Sequence, residues 1–197
     1  MDFQKTVDRI VSQLVVPPDR PIPPVLVVLV GLPGAGKSTL ARALAPILPA
    51  AVVESDFVRR QLFESPAHSD LENRVVHRAA QAVMERLLRQ SISVVSDATN
   101  LIESHREMLY RLAAKCDARP LVVRLVAPET VVRQRLEQRQ SARSPHDWSD
   151  ADWSVYVRMK PTQENIGRSF ISVRTDGDLT PATRKVARAV RELRDHL

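Results

Sequence analysis

The stretch VLVVLVGLPGAGKSTLARALA at 25–45 limits the folds open to this chain more than any other. Six consecutive aliphatic residues at 25–30 suit a strand buried on both faces. Glycines then punctuate Gly31-Leu-Pro-Gly-Ala-Gly36, and Lys37-Ser38-Thr39 open a helical pattern. A strand, a glycine-rich turn and a helix form the context in which G-x-x-x-x-G-K-[ST] cradles phosphate; without it the motif is only a flexible turn. The glycines let backbone N–H groups turn inward, and the helix start adds unpaired donors and the positive end of its dipole. On this reading Gly31, Pro33, Gly34, Ala35 and Gly36 wrap the phosphates and Lys37 neutralises the β- and γ-groups. Ser38 offers a hydroxyl to Mg²⁺, and Thr39 adds a hydrogen bond nearer the α-phosphate. No Asn-Lys-x-Asp segment is present to read guanine, so ATP is the expected nucleotide.

Beyond this motif, short apolar runs alternate with helical patterns. The runs are VLVVLV at 25–30, AVV at 51–53, SVV at 93–95, LVVRLV at 121–126 and FISV at 170–173. Such alternation predicts a parallel sheet covered by helices. Leu71, Val75, Ala79, Val83 and Leu87 step by four and predict one apolar stripe; Leu101, Leu109, Leu112 and Ala113 predict a second. At the start, Phe3, Val7, Ile10, Val11 and Leu14 recur at helical spacing until VPPDRPIPP ends the helix. Residues 1–24 are therefore read as an amphipathic helix and Pro-rich linker, preceding a single domain over 25–197. That helix can dock on its own core or on another subunit, and oligomeric state is left open.

Two carboxylates follow strands. After the second apolar run comes Glu54-Ser55-Asp56-Phe57-Val58-Arg59-Arg60. A strand's C-terminal end in a parallel sheet faces the ligand crevice, so Asp56 is a candidate base for an attacking hydroxyl, with Arg59 one helical turn on. N-capping of the next helix by Ser55 or Asp56 is the competing reading. The third run leads to Ser96-Asp97-Ala98-Thr99-Asn100; Asp97 is placed to hold Mg²⁺, and Asn100 to cap a helix from Leu101.

Together, GLPGAGKSTLARALA, VVESDFVRRQLF and VVSDATNLIESHREML resemble the P-loop kinases of the AAA_33/zeta-toxin-like group, related to the 5′-kinase domain of polynucleotide kinase-phosphatase. The resemblance spans roughly residues 25–175. It implies an α/β P-loop kinase fold, with a central parallel five-stranded sheet flanked by helices, a helical lid, ATP and Mg²⁺. It also implies that Asp56 is the general base and that Arg59 contacts the acceptor. A lid over about 135–150 would bring arginines to the phosphates; Arg139 and Arg143, in register with Arg135, are the candidates. The loop 174–177 would border the adenine.

The function these residues suggest is transfer of the γ-phosphate of ATP to an acceptor hydroxyl. A 5′-hydroxyl of RNA or DNA is the first candidate, as in the best-known relative. A small molecule (sugar, nucleoside, antibiotic or nucleotide-sugar) is the alternative, and a slow regulatory ATPase a third reading. A net charge of +6 favours anionic partners without choosing among them. The row Arg184, Arg188, Arg191 is a solvated helix face or a nucleic-acid contact, and Trp148, Trp153 and Tyr156 either pack or stack on a ligand. One cysteine, Cys116, precludes an internal disulfide, and charges at Asp2, Lys5, Asp8 and Arg9 interrupt any secretory core. With no apolar run near the roughly 20 residues that span a bilayer, a cytoplasmic chain is expected.

Overall fold

The computed structural model describes residues 2–141 and 148–195. Its centre is the aliphatic run, β1 (Val25–Val30), every residue of which is buried. Around it lie β2 (Ala50–Glu54), β3 (Ser93–Asp97), β4 (Arg119–Val126) and β5 (Phe170–Arg174) in the order β2-β3-β1-β4-β5. All four pairings are parallel. A strand flanked on both sides and covered on both faces has no polar face, which is why β1 does not alternate in chemistry.

It does alternate in direction. Leu26, Val28 and Val30 enter a core shared with α1 (Phe3–Ser12), α3 (Ser55–Leu62), α4 (Asp70–Leu88) and α5 (Glu103–Lys115). Val25, Val27 and Leu29 enter the opposite core, under α2 (Lys37–Leu44) and α8 (Thr180–Asp195). The chain is thus a three-layer α/β fold, its five-stranded parallel sheet flanked by helices. Helix α1 docks on its own core: Val7 and Ile10 are buried against the α4 side, worth about 1.5–3 kcal/mol each in apolar burial.

The step-of-four stripe on α4 holds only in part. Ala79, Val83 and Leu87 are buried, whereas Leu71 is 65% exposed and Val75 36%, with Val76 taking the inward place. Four residues are 400° of helix, so such a stripe drifts by about 40° per step and cannot stay on one face through a helix this long. The helix starts where a cap allows: Ser69 Oγ accepts from Glu72 N at 3.3 Å, and the Glu72 carboxylate reaches back to Ala67 N at 2.9 Å.

Because every strand runs the same way, all of their C-terminal ends meet at one edge. There lie the Gly31–Gly36 turn, the start of α3, Asp97 and the α6 (Glu129–Ser141) and α7 (Trp153–Met159) helices. A small apolar cluster of Val132, Leu136 and Tyr156 holds α6 and α7 to each other. Strand order reverses on the two sides of β1, which opens a crevice above it.

Candidate active site

The turn after β1 has the backbone a phosphate cradle needs. Gly34 and Gly36 sit at φ +76° and +86°, in the left-handed region that side chains disfavour. A Cβ at Gly34 would also lie 2.9 Å from Val132 Cγ1 on α6. Helix α2 begins at Lys37 without a side-chain cap, which leaves its first N–H groups facing the crevice. The loop is held from behind: Gly31 N donates to Thr99 O at 3.0 Å, and the buried Thr175 Oγ1 donates to Ala35 O at 2.8 Å. Arg135 of α6 donates to Gly34 O at 3.4 Å and to the Thr175 carbonyl, so the loop after β5 braces this turn. Arg135, one turn before the candidate Arg139 on the same helix, touches the cradle directly.

Lys37 Nζ donates to Leu32 O at 3.0 Å along the loop. Burial of its ammonium lowers its pKa against the opposing pull of Asp97 and Asp56. Asp97, 3% exposed, is pushed the other way by burial, with Lys37 and a hydrogen bond from Ser38 partly offsetting the rise. One of its carboxylate oxygens, Oδ2, is buried with no hydrogen-bond partner among the described residues. An orphaned carboxylate oxygen beside a serine hydroxyl fits a hard cation. Among the described residues no group of three or more His, Cys, Asp or Glu side chains could hold a metal ion.

Across the crevice, Asp56 lies in the first turn of α3. Glu54 occupies the N-cap position and makes no side-chain cap bond, so neither Ser55 nor Asp56 is the N-cap residue. Asp56 is near enough to Lys37 and Asp97 to act on the charge of both. Arg59, 7% exposed, donates to Asn73 Oδ1 at 2.8 Å and lies 3.8 Å from Glu72. One cavity of about 1090 Å³ takes in Pro33, Gly34, Gly36, Lys37, Ser38 and Thr39 at one end and Asp56, Arg59, Asp97 and Arg139 around them. Gly31 and Ala35 are buried behind its wall, acting through the backbone bonds above. Arg139 also acts on the charge of Lys37, whereas Arg143 lies outside the described residues.

Asn100 does not cap a helix. Helix α5 starts at Glu103, and its first N–H is taken by Glu164 Oε2 at 2.6 Å. Asn100 instead adopts φ +47°, a conformation Asn tolerates better than most residues. From there its Nδ2 donates to Leu29 O at 2.8 Å, and its carbonyl accepts from Arg106 at 2.6 Å. Arg106 is wholly buried and also donates to Glu103 at 2.7 Å and Asn165 O at 2.6 Å. It ties the loop after β3 to the segment that follows α7. Burial of an arginine inside a polar helix leaves no periodic signal, so sequence reasoning misses it.

The aromatic residues pack. Trp153 stacks on Tyr156 with ring centres 4.7 Å apart, and Trp148 meets the edge of Phe57 at 5.5 Å. Among the described residues lining the cavity, none of Trp148, Trp153 and Tyr156 appears. Two histidines that sequence reasoning does not single out do line it: His77 of α4 and His105 of α5, edge to face at 4.7 Å. They meet only through tertiary packing, from two helices on either side of β3 in the chain.

A family profile described as an AAA domain (AAA_33) matches residues 26–165. Among curated proteins, L-seryl-tRNA(Sec) kinase of Methanococcus maripaludis is 25% identical over 116 residues, covering 58% of this chain and 46% of its own length. The chain thus spans under half of that relative. Among solved structures, Chaetomium thermophilum Kti12 in complex with ADP-AlF3 aligns with TM-score 0.69 at 21% identity, over 85% of this chain and 98% of its own. A gluconokinase from Sinorhizobium meliloti aligns with TM-score 0.63 at 22% identity, over 89% and 96%. These likenesses show a P-loop kinase fold.

Proposed function

Since the chain belongs to the AAA_33 family of AAA domains and has the fold of P-loop kinases, we propose that it is an ATP-dependent phosphotransferase, moving the γ-phosphate of ATP to the hydroxyl of an acceptor. One observation carries this reading: a carboxylate on a different element, Asp56, faces the same cavity as the phosphate cradle and acts on the charge of Lys37. A site that only bound nucleotide would have no use for a base on the far wall.

The residues divide the work. Backbone N–H groups of the Gly31–Gly36 turn and of the α2 start hold the phosphates, and Lys37 balances charge on the β- and γ-groups. Ser38 and Asp97 would hold Mg²⁺, which when bound neutralises the phosphate oxygens. Asp56 takes the proton of the acceptor hydroxyl as its oxygen forms a bond to the γ-phosphorus; the bond from that phosphorus to the β-bridging oxygen breaks, and ADP leaves. Arg139, which lines the cavity, would meet charge spreading onto the equatorial oxygens.

A 5′-hydroxyl of nucleic acid and a small-molecule hydroxyl both satisfy this chemistry. The small molecule is favoured because residues 149–151 line the cavity and their segment is held against α3 by Arg60 and Phe57, which narrows the room beside Asp56. The test is transfer from γ-labelled ATP with Mg²⁺ to a mixed acceptor panel, beside Lys37→Ala and Asp56→Asn. Label that appears with the wild type and vanishes in both variants supports the proposal; slow ATP hydrolysis indifferent to Asp56→Asn overturns it in favour of a regulatory ATPase.

A further inference from the structure

Three features at the α3 end of the cavity play no part in holding the nucleotide. The first is Arg59. Its Nε and one terminal nitrogen are buried without a hydrogen-bond acceptor among the described residues; that terminal nitrogen keeps a loose ion pair with Glu72 at 3.8 Å, which leaves Nε with no partner at all among them. A guanidinium with donors left over in a desolvated wall favours an anion that can accept two of them at once. Arg74 and Arg158 also line the cavity and add positive charge, against Glu54, Asp56, Asp70, Asp97 and Asp150, the last of them clasped by Arg60.

The second is the imidazole pair. Burial, then His105 and Arg59, push His77 down to about 4, so at neutral pH it carries no charge to compete with Arg59 for an anion. A neutral imidazole offers one donor and one acceptor, the complement of a hydroxyl group. The third is a roof. Ser149, Asp150 and Ala151 line the cavity, and Arg60, which does not line it, clasps this segment. Arg60 donates to both Asp150 carboxylate oxygens, at 3.0 and 2.9 Å, and to Trp148 O at 3.3 Å. The Phe57–Trp148 contact fastens the same place. The helix that carries Asp56 and Arg59 therefore also carries the clasp, through the two residues beside them.

We infer that the acceptor is a small hydroxylated molecule with one anionic group, the anion seated on Arg59, a hydroxyl held by His77 and His105, and its size limited by the roof that Arg60 clasps. The assignment rests on the phosphotransferase reading. A carboxylate and a phosphate ester meet Arg59 with the same chemistry, and a polynucleotide end requires the chamber to be open where the roof lies.

The test uses the whole chain with γ-labelled ATP, Mg²⁺ and four arms: sugar acids, sugar phosphates, their neutral parent sugars, and a 5′-hydroxyl oligonucleotide. Binding of the first two is measured in parallel by calorimetry with ADP present, a readout that needs no turnover. The expected result is transfer to an anionic sugar, about 100-fold preferred in kcat/KM over its neutral parent. Which of the two arms responds identifies the anion. Arg59→Met abolishes that preference and Arg59→Lys restores part of it, which separates lost charge from lost folding. His77→Asn raises KM for the anionic sugar about tenfold with kcat little changed. Arg60→Ala relaxes the size limit and admits longer acceptors. Equal use of neutral sugars, label on the oligonucleotide alone, or neither binding nor transfer of any anionic sugar overturns the inference. Arg59-dependent binding without transfer to any arm overturns the phosphotransferase reading and keeps the anion seat.

Discussion

The two ends of the cavity are built by opposite means. The end proposed for the nucleotide is contiguous in the chain: nine residues from Gly31 to Thr39, which offer mostly backbone N–H groups and two left-handed glycines. The end proposed for the acceptor is a mosaic, with Asp56 and Arg59 from α3, His77 from α4, His105 from α5 and a lining segment, 149–151, from beyond α6. A phosphate chain is the same in every nucleotide, so a fixed backbone shape serves it; an acceptor is met by side chains, each of which can change while the fold stays. The general part of the chemistry is thus local in sequence, and the particular part is tertiary.

If the two ends are separable, Asp56→Asn is the sharpest cut between them. Transfer should fall about 10²–10⁴-fold while the Kd of an ATP analogue stays within about twofold. A loss of nucleotide affinity of similar size would join the ends again. Arg106→Met should do the reverse and damage both at once. It removes the buried guanidinium that bonds the carbonyls of Asn100 and Asn165 and the partly exposed Glu103 carboxylate, at a cost of about 1–3 kcal/mol read from urea unfolding.

Acid should separate the ends more gently. His77 is held near 4 in the fold against 6.5 in the unfolded chain, so the unfolded state takes up its proton first. Stability from this group is present above about pH 6.5 and is lost as pH falls towards 4, by about 1–2 kcal/mol after allowing for partial exposure. In His77→Gln, unfolding midpoints at pH 7 and pH 5 should lie closer together than in the wild type. The smallest effect belongs to Thr175→Val, which removes the hydroxyl donated to Ala35 O behind the cradle. It should reduce stability by about 1 kcal/mol and raise KM for ATP a fewfold, leaving acceptor KM unchanged.

The same divide between local and tertiary governs how much of the molecule is legible in its sequence. The strands are legible because short β-branched runs between helical patterns have few alternatives, and the cradle because its residue types are dictated by backbone shape. Asn100 departs from expectation: an Asn before a helical pattern usually caps it, but here the chain turns left-handed first and the amide braces β1. The α4 stripe extends two positions too far on a period of four, which is not the helix period. Arg106, the histidine pair and the Arg60 clasp leave no trace at all. Each depends on a partner more than 25 residues away, or on a depth of burial that pattern does not encode.

The Phe57–Trp148 contact has a use in optics. The chain has two tryptophans, and they sit in different surroundings: Trp148 on the roof against Phe57, Trp153 stacked on Tyr156 beside α6. Neither belongs to the two large cores. Indole emission from this protein is therefore a signal from outside those cores, and replacing one tryptophan with phenylalanine leaves the other as a label-free reporter of the segment clasped by Arg60 or of the α6–α7 cluster.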